Sequence, residues 1–461
     1  MTKPLAATSS TRASSSSHTA EPDCQCVICR LQRPFDLPDR VVKAALAGEL
    51  VIFAGAGTST ENPLTLPSTL YVGVVGELGY TATDDLPSFP RAMSQYEKQH
   101  GRPALLQKAK ERFDYIDGFG DLRAMATRFH QEISTMFMVD TIVTTNWDTY
   151  FEEDCGAIPI VTEADYAFWN LPGRKVFKVH GSMNNVGSIV ATEDDYERCY
   201  AQLREGVMGS TLKHMLATKT TVFLGYSFRD DDFNQIYDLV RHQLGAMLPR
   251  PIVVTLNDEF DAISYRGADV IVTDAAFFIS ELKRAIISQS ACQLPDDRLA
   301  GAVDVAVRAH KEHVTLYDRL DAYDEPLVVY AGAYQDGLGD GFDRMLRLAK
   351  TGEYSHTCHV RSLINNYSRW RKERLKRRKY LDVAYIDGYV WALYSLLLDD
   401  DKRSGIPMYY VFGDDTVIRD VDTYFAVIAA GRDLHKRAYD EAYRITRRYG
   451  PGVVVHHRAT L

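Results

Sequence analysis

Four short runs in this chain put small or polar residues directly after apolar stretches, and each carries residue types suited to nucleotide chemistry. Val51-Ile52-Phe53-Ala54 leads into Gly55-Ala56-Gly57-Thr58-Ser59. Small residues there let the backbone approach a pyrophosphate, while N–H groups and a following helix N-terminus supply positive potential. Thr144-Thr145-Asn146-Trp147-Asp148 offers an amide and a carboxylate, which can stabilise positive charge developing on a substrate. Lys178-Val179-His180-Gly181-Ser182 adds an imidazole, able to accept a proton near neutral pH. Phe223-Leu224-Gly225-Tyr226-Ser227-Phe228 repeats the pattern with Gly and Ser. Singly, each has a plainer reading: a tight βα turn, a structural histidine, or an Asx turn or helix N-cap at Asn146 and Asp148. The weight falls on four such strand ends occurring in one sheet.

The elements that must position these residues are short and β-branched. Val51–Ala54, Thr141–Thr144, Val176–Val179, Thr221–Leu224, Ile252–Leu256 and Asp269–Val272 read as buried strands. Helical patterns separate several of them, so the expected fold is α/β: a Rossmann-like parallel sheet with flanking helices. Ligands of such sheets bind at the carboxyl ends of the strands. A helix is expected around Val41–Leu50, and another after Pro295. Beyond it, Leu327–Tyr330, Met408–Phe412 and Val453–His456 read as strands and Thr423–Tyr449 as one long helix, suggesting a C-terminal α/β or α+β accessory domain. The divisions read from the sequence are a disordered tail over 1–23, a catalytic domain over 24–290 and a C-terminal domain over 300–461.

With 461 residues, the chain can bury a large core, and its 46% apolar and 25% charged content is that of an ordinary soluble protein. The net charge of -9 argues against binding nucleic acid over the whole surface. No apolar run approaches the ~18–20 residues needed to cross a bilayer, so no membrane association is expected. The first twenty residues contain no apolar core of a secretory signal, and seven cysteines are too sparse for a disulfide framework. A cytoplasmic location is the simple expectation.

The series Gly55-Ala56-Gly57-Thr58-Ser59, Thr145-Asn146-Trp147-Asp148, His180-Gly181 and Gly225-Tyr226-Ser227 resembles the sirtuin family in order and spacing, over roughly residues 45–275. The resemblance implies that NAD is the bound nucleotide and that its nicotinamide–ribose bond is cleaved. It implies that Gly55, Ala56, Gly57, Thr58 and Ser59 hold the diphosphate, and that Asn146 and Asp148 line the nicotinamide–ribose pocket. His180 would be the general base. Gly225 and Ser227 would meet the phosphate or adenosine ribose, and Asn257 the adenosine side. Two departures matter. Only Cys199 lies between His180 and Gly225, so the family's four-cysteine zinc module cannot be built there, and no metal is expected. The family's segment after the phosphate turn is replaced by Asn62-Pro63-Leu64-Thr65-Leu66-Pro67-Ser68.

Both departures weaken a deacylase reading and shift the acceptor from acyl-lysine to water. What remains is similar to zinc-less sirtuin-like domains of bacterial anti-phage proteins, which destroy cellular NAD when triggered. That similarity implies an NAD glycohydrolase, releasing ADP-ribose or a cyclised form of it. Control would lie in the C-terminal region, through homo-oligomerisation, a partner protein or a phage-derived activator. The alternatives are an NAD-dependent protein deacylase or ADP-ribosyltransferase, and a non-catalytic NAD or ADP-ribose sensor subunit.

Two further signals lie outside this series. Cys24, Cys26 and Cys29 are closely spaced thiols without a partner pair, short of a zinc-knuckle pattern; His356, Cys358 and His359 are a weaker cluster. Arg369–Lys379 holds eight basic residues in eleven. It reads as a solvated helix face, or as a patch for a phosphate-rich ligand, which Arg forks suit.

Overall fold

The computed structural model describes residues 24, 26–81, 85–226, 231–257, 267–431 and 436–457, with only the backbone given for 231–236 and 239. The tail over 1–23 and Ser227 therefore lie outside the described residues.

Seven strands form one parallel sheet: β1 (Leu50–Ala54), β2 (Thr141–Thr144), β3 (Ile158–Ile160), β4 (Lys175–Lys178), β5 (Thr220–Leu224), β6 (Ile252–Thr255) and β7 (Asp269–Val272). Their order is β3-β4-β2-β1-β5-β6-β7. The six strands expected from the sequence are present, within a residue at each end. β3 escaped notice because it is short and contains Pro159. It sits at the edge, paired only with β4, where a residue lacking an N–H costs no ladder bond.

The strands are apolar on both faces because helices cover both. Ile52, Ile142, Val222 and Ile252 pack against α1 (Asp39–Leu46), α2 (Gly120–Ser134) and α4 (Ala275–Gln289), contributed by Val42, Phe129 and Phe278. Val51, Phe53, Val143, Phe177 and Phe223 point the other way, towards Leu203 of α3 (Glu193–Glu205) and the helix Val207–Thr218. Each such side chain stabilises the fold by roughly 1.5–3 kcal/mol, so this two-faced core fixes where the strand ends lie. α1 stops earlier than the pattern suggests. Gly48 takes φ +68°, breaks the helix and frees Leu50 for β1.

The C-terminal expectation needs correction. Residues beyond 295 form a helical region, not an α/β one: α5 (Asp297–Arg319), α6 (Val328–Leu348), α7 (Thr357–Lys376), α8 (Tyr380–Ser395), α9 (Val421–Gly431) and α10 (Lys436–Tyr449). Leu327–Tyr330 is the start of α6, buried on every side, so it shows no amphipathic period and mimics a strand. Met408–Phe412 is extended but makes only an isolated bridge, Tyr409 with Ile418. Val453–His456 has no regular structure. The long helix expected over Thr423–Tyr449 is two helices flanking residues 432–435, which are outside the described set.

The buried Arg174, just before β4, ties the two parts together. Its guanidinium donates to Ile133 O (3.0 Å) and Met136 O (2.7 Å) at the end of α2, and to Val139 O (2.7 Å) and Cys155 O (2.8 Å). It also reaches Lys350 O in the helical region (3.5 Å), while Lys350 Nζ donates to Glu153 O (2.6 Å).

Candidate active site

The chain runs from β1 towards β2 on one side and from β5 towards β6 on the other, so the loops after β1 and β5 separate at the sheet centre. Crevices in parallel α/β sheets open at such a reversal. Ala54 is level with both Thr144 and Leu224, and Thr144 with Lys178. Gly55 and Gly225 thus each lie one residue past the paired ends of β1 and β5. Asn146 and His180 each lie two residues past the paired ends of β2 and β4.

Only glycine fits where the two central loops meet. Gly225 has φ +58°, and a Cβ there would lie 2.6 Å from Thr58 N. A Cβ on Gly55 would lie 2.4 Å from Gly225 O, and on Gly57 2.9 Å. The N–H groups of Gly55 and Gly57 donate to Leu224 O (2.9 Å) and Gly225 O (3.1 Å), which leaves Ala56 as the exposed residue of the turn. Asn62 Nδ2 braces the turn by donating to Gly57 O (3.1 Å), and Thr65 Oγ1 does so at Ser59 O (3.1 Å). The segment that departs from the sirtuin pattern therefore buttresses the turn from behind.

Polar side chains then link the strand ends into one unit. Thr144 Oγ1 donates to Ala54 O (2.8 Å) and accepts from Asn146 N (3.0 Å). Asn146 Nδ2 reaches Gly55 O (3.1 Å) and Ser59 Oγ (3.2 Å), and Ser59 Oγ donates to Asp148 Oδ2 (2.8 Å). Asp148 Oδ1 accepts from Tyr150 N (3.2 Å), so both carboxylate oxygens are engaged and the residue is 3% exposed. Asn146, 6% exposed, keeps its Oδ1 buried and without a hydrogen-bond partner among the described residues. An unmatched buried acceptor costs ~1–3 kcal/mol. His180, 4% exposed, packs against Tyr196 of α3 (ring centroids 4.9 Å apart). Gly181 follows with φ +86°, where a Cβ would strike Ser188 O at 2.2 Å. Asn257, past β6, is exposed and its N–H donates to Thr255 Oγ1 (3.1 Å).

The sequence reading did not single out Lys178. Its buried ammonium contacts Asp148 O and pairs with Glu152 Oε1 at 3.1 Å. Burial raises the Glu152 carboxyl above its ordinary pKa, with Lys178 opposing the shift. The signal was legible: a lysine at the end of a strand buried throughout needs a partner inside. A cavity of about 840 Å³ lined by Arg241, His242 and Arg250 lies elsewhere, beside Pro251 and Gly267 where β6 and β7 begin. That is the amino edge of the sheet, away from this polar cluster.

In Arg369–Lys379, Arg371 pairs bidentately with Asp387 (2.5 and 3.0 Å), Arg374 with Asp382 (3.5 Å) and Arg377 with Glu373 (2.7 Å). Three of the eight basic residues are thus matched by carboxylates, two of them on α8.

Residues 140–270, which contain β2 to β6 and most of this cluster, match the family model of the SIR2-like domain. The chain carries a sirtuin-like domain. It is similar to two proteins named NAD(+) hydrolase ThsA. The one from Cytobacillus dafuensis is 30% identical over 211 residues, 44% of this chain and 40% of that protein. The one from Enterococcus faecium is 26% identical over 208 residues, 44% of this chain and 42% of that protein. The chain thus spans less than half the length of the curated relatives it matches. A solved structure from work on the mechanism and regulation of Sir2 enzymes aligns with 54% of this chain and 99% of its own, at 15% identity and a TM-score of 0.28. That overlay is too loose to bear on the fold, which rests on the sheet itself. No helix among the described residues is long and apolar enough to cross a membrane.

Proposed function

We propose that the sirtuin-like domain is an NAD glycohydrolase. NAD, as substrate, would lose nicotinamide: the C1′–N bond breaks, its electron pair leaves with the neutral ring, and an oxocarbenium-like ribose remains. Water adds at C1′ and loses a proton, giving ADP-ribose, nicotinamide and one proton. His180 is the general base for that water. Asn146 turns its amide dipole to the developing positive charge, and the Asp148 carboxylate adds negative potential while holding Ser59. Gly55, Ala56, Gly57, Thr58, Ser59, Gly225 and Ser227 cradle the diphosphate side, with Asn257 towards the adenosine.

The observation that carries this reading is the Asn146 side chain. It ties the phosphate turn to the reacting edge through Gly55 O and Ser59 Oγ, yet keeps a buried oxygen unmatched. A buried orphan acceptor among the polar groups of neighbouring strand ends calls for a partner from outside the chain. The relatives' shared name, NAD(+) hydrolase, points to the same chemistry.

A freely running NAD hydrolase would poison its host, so the reading includes control, in a bacterial anti-phage setting. In this reading the helical region exerts it. Lys350 touches the end of the helix Tyr150–Cys155, whose beginning is set by Asp148. Homo-oligomerisation, a partner protein, a phage-derived activator, or a phosphate-rich ligand at Arg369–Lys379 would act through that contact. Incubation with NAD alone separates the readings. Nicotinamide release that is unchanged by an acyl-lysine peptide supports the hydrolase. Release only with a peptide or protein acceptor supports a deacylase or ADP-ribosyltransferase, and binding without release supports a sensor.

A further inference from the structure

Three side chains that NAD cleavage leaves unused meet where the sheet adjoins the helical region. Cys292 lies just beyond α4, while His356 and Cys358 flank the first residue of α7; their ligand atoms all lie within 4.8 Å of one another. The fold alone brings Cys292 to the other two, which is why the sequence showed only the weaker cluster of His356, Cys358 and His359. The backbone around them is tightly held. Thr357 N donates to Cys292 O (2.8 Å), Thr357 Oγ1 to Ala291 O (2.7 Å), and Leu294 N to Ser355 O (2.8 Å). Gln293 and His356 form an antiparallel bridge. The His356 ring stacks on Phe137, with centroids 3.6 Å apart and planes at 18°, which fixes its orientation. The Cys292 sulfur beside it lifts the Cys358 thiol above its ordinary pKa.

We propose that Cys292, His356 and Cys358 bind one thiophilic divalent cation of the zinc class, its fourth position open to solvent beside the exposed Cys358. Two thiolates and a neutral imidazole are the donors zinc takes tetrahedrally, whereas magnesium and calcium prefer oxygen. Each thiol gives its proton to solvent as the metal–sulfur bonds form, and the two thiolates balance the two positive charges without electron transfer. Cys358 lies in the first turn of a 20-residue helix, whose N-terminal potential favours the thiolate. The ion would staple the chain after α4 to the start of α7, and so fix the seat of the helical region on the sheet. This inference does not depend on the NAD reading.

Cys24, Cys26 and Cys29 form a second thiol cluster within the same 4.8 Å limit, so the test removes it first. The probe is cobalt(II), titrated into the reduced full chain carrying Cys24→Ser, Cys26→Ser and Cys29→Ser. The expected result is one equivalent bound, with thiolate-to-cobalt charge transfer and the intense visible bands of a tetrahedral ion, and displacement by zinc. Adding the surface change Cys358→Ser should weaken binding at least about tenfold, the low end of what even an outer-shell partner contributes. The circular dichroism spectrum should not change. Phe137→Leu, which removes only the ring stacked on His356, should weaken binding less. No cobalt uptake by the parent variant would overturn the proposal, as would uptake unaffected by Cys358→Ser.

Discussion

The sheet and the helical region both use glycine to bring backbones together, with opposite results. At the sheet's carboxyl edge, Gly55, Gly57 and Gly225 let two loops touch, and the polar side chains around them stay partly unmatched. In the helical region, Gly337 and Gly388 let α6 and α8 approach so closely that a Cβ would lie 2.0 Å from Tyr385 O or 1.9 Å from Tyr334 O. There several polar groups close on one another, although the buried hydroxyls of Tyr317 and Tyr424 have no hydrogen-bond partner among the described residues. Tyr330 Oη donates to Ala438 O (2.7 Å), Tyr334 Oη to Pro407 O (2.9 Å) and Gln335 Nε2 to Met408 O (3.0 Å). The first arrangement holds a chemistry-bearing edge open, and the second seals a core. Close packing is therefore no sign of function; unmatched buried polar groups gathered at the ends of neighbouring strands are a better one.

Mutations separate the two uses. Among the changes that contrast the two regions, Asn146→Ala should have the largest effect, lowering kcat for NAD cleavage about 10²–10³-fold, as losing one preorganised dipole does elsewhere, with little change in Tm. A fall in Tm that accounts for the lost activity would make Asn146 structural, like the helical region's tyrosines. Acid should next expose a weakness in the sheet's own packing. His130 is buried against Phe151, and desolvation pushes its pKa down from 6.5 to about 4. Below pH 6.5 the unfolded chain takes up a proton there that the folded chain refuses. The stability is full above pH 6.5 and declines as pH falls towards 4, by roughly 3 kcal/mol from this group. His130→Phe should flatten that part of the denaturation profile, and an unchanged slope would assign the acid sensitivity to other groups.

Gly388→Ala should cost about 1–3 kcal/mol through overpacking, read as a lower Tm. Turnover per folded molecule should be unaffected; a matching loss of kcat would mean that the sealed core also shapes the open edge. Ser59→Ala removes a bond to a carboxylate, worth ~1.5–3 kcal/mol, of which part is recovered by solvent. About a tenfold drop in kcat/KM is expected, and none would show that Asp148 is held by Tyr150 N alone.

The same contrast explains what the sequence revealed. Parallel strands buried on both faces form short β-branched runs, so β1, β2 and β4 to β7 were legible, and the glycine and Asn/Asp/His residues after them marked the site. Asp148 stood out as a candidate, but its full engagement by Ser59 and Tyr150 was not legible, because the Ser59 contact joins separate segments of chain. Lys178 was missed as a support of Asp148 for the same reason. The helical region misled because Leu327–Tyr330 is buried all round and so loses the periodicity that marks a helix. Tyr330 and Tyr334 satisfy their hydroxyls through distant carbonyls, which no local pattern records.

The central claim is that the polar edge at β1, β2 and β4 cleaves NAD in water. The most direct test follows NAD and nicotinamide by chromatography for the purified full chain and its His180→Ala variant, both shown to be folded. The account predicts nicotinamide release matched by loss of NAD in the parent, reduced about 10²–10⁴-fold in the variant, the usual worth of a positioned general base. Equal turnover in the two proteins would contradict it.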